Sequence, residues 1–190
     1  MQSWVLWEAM RLSRRAARNF ARNARGSAAI EFALIAPAFF LILFAMIETG
    51  IAYFANSAVE KAAIDAARLV RTGQVQSEGM TKDAFRTFVC DRIQPFLACD
   101  SHLLIEVRAS SQFAGSQFIN PINSQGEFKQ GELDIFQPGG PGEVVLVRIF
   151  YTWDLFTPLF SEYFANMATG QRLLSATIAF RNEPFASIVP

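Results

Sequence analysis

Residues 32–47 read FALIAPAFFLILFAMI, an uninterrupted uncharged run with a single proline at position 37. Adding residues 28–30 before it and 49–55 after it gives a stretch broken only by Glu31 and Glu48. A helix needs about 20 mostly apolar residues to cross about 30 Å of hydrocarbon, and this stretch supplies them. A buried core helix is the alternative, but apolarity on every side of the segment argues against it. The stretch reads as a transmembrane helix over 27–55. Pro37 removes one backbone hydrogen bond and is expected to bend or loosen that helix. Glu31 and Glu48 are its costly residues. Glu48 lies near one end of the run, where a side chain snorkelling to headgroups is as good a reading as a functional one.

The charge distribution orients the span. Net charge is zero, yet residues 1–26 hold six arginines (Arg11, Arg14, Arg15, Arg18, Arg22, Arg25) against Glu8, and residues 27–190 carry a compensating acidic excess. The positive-inside bias places the N-terminus in the cytoplasm and residues beyond about 55 outside. A hydrophobic share of 52% with 19 phenylalanines is rich for a purely soluble chain of this size and agrees with an anchored one.

Outward from the span, residues 56–71 (NSAVEKAAIDAARLVR) continue as an amphipathic helix. Val59, Ala62, Ala63, Ala66, Ala67 and Val70 share one face, with Lys61, Asp65 and Arg68 opposite in i,i+4 and i,i+3 pairs. A helix from 28 to 71 would be on the order of 65 Å long. Thr72-Gly73 ends it. A second helix is predicted near 82–94, burying Phe85, Phe88 and Val89 and stopping before Pro95. Leu103, Ile105 and Val107 alternate with Leu104, Glu106 and Arg108 as a strand. Residues 113–142 are rich in Gly, Asn, Gln and Pro and read as a long excursion, with a short strand near 133–136. Residues 144–153 form the strongest strand, β-branched and aromatic throughout. A loop or short helix around Pro158 carries Phe156, Phe160 and Phe164. The last strand, about 172–182, sets Leu174, Ala176, Ile178 and Phe180 against Ser175, Thr177 and Arg181. The expected class is α+β: a long N-terminal transmembrane and amphipathic helix, then a small external domain over 56–190 with an antiparallel sheet.

Little here builds an enzyme. His102 is the single histidine, and there is no Gly-x-Ser-x-Gly, phosphate loop or metal-ligand cluster. Glu132 and Asp134 are close in sequence but sit in the excursion, where solvent exposure is the simpler reading. No cofactor is expected, and an acidic external region disfavours nucleic acid. Cys90 and Cys99 follow the span. If that region is periplasmic, a disulfide closing a short loop is the expected fate, worth about 2–3 kcal/mol on the chain-entropy model. Two free thiols remain the alternative, and zinc is the poorer reading.

Residues 25–32 read Arg-Gly-Ser-Ala-Ala-Ile-Glu-Phe: a basic leader ends at Gly26, and Glu31 is the fifth residue after it. This resembles the type IV prepilin signal, which implies cleavage between Gly26 and Ser27 by an inner-membrane prepilin peptidase, removing 1–26. Glycine allows close approach of a protease. The resemblance also implies that Glu31 pairs with the freed α-amine of a neighbouring subunit and sets register, and Phe32 fits the aromatic position after it. A secretory signal, twin-arginine export (Ser13-Arg14-Arg15) and a mitochondrial presequence compete, but none explains Glu31 against a full-length span.

The RGSAAIEFALIAP start, the alanine-rich helix to Arg68, the Tyr-Thr-Trp strand followed by Thr157-Pro158-Leu159, and the terminal RNEPF together resemble the TadE-like family, minor pseudopilins of the tight-adherence (Flp) pilus system. The resemblance runs from Gly26 to Phe185, except for 113–142. It implies a pilin-like fold and a structural role in pilus assembly in the bacterial inner membrane, with other pilins, pseudopilins and assembly proteins as partners and the lipid bilayer around the helix. The rival reading is a membrane-tethered periplasmic binding module. For RNEPF itself, the simple reading is a strand terminator at Pro184, with Arg181 and Glu183 paired locally.

Overall fold

A computed structural model of the chain describes residues 26–94, 97–99, 101–111, 119–157 and 162–185. The arginine-rich leader through residue 25, Pro95, residues 113–118 of the excursion, and Pro158, Leu159 and Phe160 lie outside the described residues. The elements are α1 (Ser27–Arg71), α2 (Gln74–Ser77), α3 (Lys82–Ile93), β1 (Leu103–Ser110), α4 (Gln130–Leu133), β2 (Val144–Trp153) and β3 (Arg172–Arg181). The chain divides into two compact units, residues 1–44 and 45–190.

Within the first unit, the described residues are the start of α1. The helix is continuous through Pro37. Its phenyl rings contact one another, Phe39 edge-on to Phe40 at 5.5 Å and Phe40 stacked on Phe44 at 6.2 Å. Among the described residues α1 is the one helix long and apolar enough to cross a membrane, and none of its most apolar 18-residue window is buried. A core helix of that composition would be covered by the protein. This one exposes Phe32, Leu34 and Ile35, which water does not tolerate as a contiguous surface.

The second unit is a three-stranded antiparallel sheet of order β1-β2-β3, with every residue of the central strand buried. Val147 pairs with Val107 on one side and Ile178 on the other, which fixes the register of all three strands. One face carries Val145, Val147, Ile149, Tyr151 and Trp153 with Ile105 and Ala176. It packs with the buried stripe of α1, Ala55, Val59, Ala62, Ala63, Ala66, Ala67 and Val70, and with Phe85, Val89 and Ile93 of α3. The stripe is the one its spacing predicts, extended back to Ala55. Small side chains suit a helix laid closely on a sheet. Thr81 starts α3 by accepting the Ala84 N–H.

The other face is covered by the excursion. Phe150 and Leu173 pack with Leu133, and Ile119, Ile122, Phe128 and Met167 close over them. Glu106, completely buried, pairs with Arg148 on the neighbouring strand and with Arg108 on its own, and Arg148 also donates to the Ile119 carbonyl at 2.7 Å. A buried charge needs this kind of partnering. The short strand predicted near 133–136 is instead the one-turn α4 followed by a single parallel bridge between Phe136 and Val107. Val107 N–H donates to Ile135 O and Gln137 N–H to Val107 O, so part of the outer edge of β1 is covered.

Two local expectations are corrected. Asp65 pairs with Arg92 of α3 at 3.2 Å, because the arginine reaches across from the neighbouring helix. Glu183 pairs with Arg71 at 3.2 Å, the end of α1 lying closer to it than any partner on its own strand.

Candidate functional site along the long helix

The start of α1 is simple chemically. Ser27 Oγ donates to Glu31 Oε1 at 2.8 Å, one helical turn apart, and both residues are exposed. Gly26 precedes them with a φ that is not left-handed, and a Cβ built on it meets nothing within 4 Å. Among the described residues, then, the fold does not require glycine at this position. Phe32 is exposed beside Glu31.

The end of the apolar run is built differently. Glu48, the first charge after it, is buried rather than snorkelling. Its carboxylate accepts the backbone N–H groups of Phe156 and Thr157, the latter at 3.2 Å from Oε2. Those amides belong to the loop leaving β2, where no strand partner is available to them, and a carboxylate is the strongest side-chain acceptor for such donors. Beside it lies a cavity of about 370 Å³ lined by Glu48, Tyr53, Asn56, Leu155, Phe164 and Arg172. Arg172 Nη1 donates to the Phe164 carbonyl at 2.9 Å, and Gln171 Nε2 to Asp154 at 2.6 Å. Sequence reasoning left Glu48 between headgroups and function. Its partner lies 108 positions away, and no local pattern announces it.

The far end of α1 is where RNEPF acts. Gly73 follows the helix in the left-handed region, φ 76°, as a helix-ending glycine does. The Phe185 ring lies against it so closely that a Cβ at Gly73 would come within 2.4 Å of the ring. Glu183 N–H donates to the Arg71 carbonyl at 2.9 Å and so satisfies one of the open acceptors at the helix end. Asn182, also buried, binds the Pro138 and Gly140 carbonyls. The motif is thus a clasp that fastens the end of β3 to the end of α1, beyond the simple strand stop.

Cys90, in α3, is joined to Cys99, with Cα atoms 5.8 Å apart, and Arg86 donates to the Cys99 carbonyl at 2.7 Å. The carboxylates of Glu132 and Asp134 do not act together: one pairs with Lys129 and the other with Lys82. His102 uses Nδ1 on Thr152 at 3.0 Å.

No curated protein and no solved structure is detectably similar to the chain. The strand motifs and the RNEPF clasp lie outside the residues that the family model matches. Residues 26–68 match the family model described as TadE-like protein, so the segment holding Gly26, Glu31, the apolar run and most of the alanine stripe is TadE-like, as its sequence resemblance implies.

Proposed function

We propose that the chain is a structural component of pilus assembly, a type IV prepilin-like minor pseudopilin of the tight-adherence (Flp) system. The observation that carries this reading is the coincidence of the TadE-like segment with one unbroken helix of two halves. The first half is apolar and uncovered; the second is pinned to a sheet. A secretory signal cut behind its apolar core would have to be cleaved inside this continuous helix, at residues already packed in the domain. Cleavage between Gly26 and Ser27 leaves the whole helix attached.

In this reading the prepilin peptidase removes residues 1–26 at the cytoplasmic face. The helix remains as a single pass through the inner membrane, bent or loosened at Pro37, and the sheet domain stands in the periplasm with Cys90 and Cys99 oxidised. There the domain meets other pilins, pseudopilins and assembly proteins, with no catalytic role. Glu31 is the register residue. A carboxylate at the edge of hydrocarbon is costly unless paired, though less so than the ~2.5–3.5 kcal/mol that insertion scales give a charge at the helix centre, and the hydrogen bond from Ser27 offsets only part of that cost. The α-amine of a neighbouring processed subunit supplies the missing charge. Glu31→Ala is expected to leave the chain cleavable while pilus assembly, scored by electron microscopy and sheared-fibre yield, falls sharply. Normal piliation in that variant would remove Glu31 from the mechanism.

A further inference from the structure

Glu48 fixes the height of a loop. It is the first charged residue after the apolar run that ends at Ile47, so if α1 spans, Glu48 marks the level at which hydrocarbon gives way to headgroups. The amides of Phe156 and Thr157 are hydrogen-bonded to its carboxylate and lie at the same level. Phe164, a little further along, lines the cavity beside Glu48 and Tyr53. Outside the 30–54 stretch of α1, the exposed large apolar side chains among the described residues are Ile64, Phe156 and Tyr163, at 60%, 68% and 82%. Of the three, Phe156 is held directly by Glu48, and Tyr163 is the chain neighbour of Phe164, which lines the cavity beside Glu48. Tyr53 and Phe54 on α1, about one and a half turns past Glu48, are exposed as well. Aromatic side chains gathered just beyond the end of a span are the pattern of an interfacial belt.

Resting on the transmembrane reading of α1, we propose that the side chains of Phe156 and Tyr163 make a second membrane contact, inserted among the headgroups of the outer leaflet. The occupant of this surface is lipid, because the surface is continuous with the lipid-facing end of α1 itself. Exposed Glu162 beside Tyr163 holds the contact at headgroup depth and out of the acyl chains. Arg172, lining the same cavity, suits the phosphate level. The sheet domain therefore rests on the bilayer, with Glu48 clamping Phe156 and Thr157 to the helix.

Site-directed spin labelling tests this on the full chain in phosphatidylethanolamine–phosphatidylglycerol liposomes with the native disulfide oxidised. Labels are placed singly through Phe156→Cys and Tyr163→Cys, with Phe40→Cys in the apolar run and Thr177→Cys on β3 as references. The labels at 156 and 163 are expected to relax more with lipid-soluble oxygen than with an aqueous nickel chelate, and the label at 177 to show the reverse. Aqueous behaviour at 156 and 163 with lipid behaviour at 40 overturns this inference alone. So does shielding from both reagents, which would mean that protein covers the loop. Aqueous behaviour at 40 overturns the transmembrane reading, and this inference with it.

Discussion

Asn182 illustrates how much of this domain depends on single polar side chains. It is almost fully buried, its N–H reaches the Glu143 carbonyl, and its Nδ2 donates to Pro138 O and Gly140 O, each at 3.0 Å. Asn182→Ala removes the side-chain donor to the Gly140 carbonyl and one of the two to the Pro138 carbonyl, the other being Gln76, which is expected to destabilise the domain by about 2 kcal/mol. In detergent the melting midpoint should fall by roughly 5 °C; an unchanged midpoint would show that the clasp contributes nothing. Neither Asn182 nor Glu48 could be read from sequence. Each is defined by partners far along the chain, and a buried asparagine or glutamate looks no different in sequence from an exposed one. The reading that proposes Gly26, Ser27 and Glu31 rests instead on a local pattern: a glycine, a basic leader and an acid at fixed spacing beside an apolar run.

At the scale of elements, periodicity did most of the reading. The stripe from Val59 to Val70 repeats at helical spacing, and β1 and β3 alternate as strands do while β2 is β-branched and aromatic throughout, so the helix face and the strands were available before any contact was known. Ala63 sits at the centre of the stripe, fully buried, while its neighbour Ile64 is exposed. Ala63→Leu forces extra volume between helix and sheet and is expected to destabilise the domain by about 1–3 kcal/mol. Ile64→Ser, on the open face, should leave chemical denaturation unchanged. Equal effects at the two positions would contradict the packing. The excursion resisted this approach. Its cover over Phe150 and Leu173 rests on Ile119, Ile122 and Phe128, spaced without period among turn residues, and its bridge to Val107 is a pairing across 29 positions. Composition correctly marks such a segment as irregular but says nothing of where it lies.

On the scale of the whole chain, one continuous helix carries two incompatible surfaces, an apolar face that needs lipid and an alanine stripe that needs a sheet. In the proposed reading the basic segment before it and the acidic excess after it lie on opposite sides of the membrane that the apolar half crosses. The central claim is that the chain is cut in front of this helix and keeps it. Intact-mass and N-terminal analysis of protein extracted from membranes, with and without the host's prepilin peptidase, measures that directly. The account predicts a chain that begins at Ser27 when the peptidase is present and retains residues 1–26 when it is absent. A membrane-extracted chain that still begins at Met1 in the presence of the peptidase would contradict it.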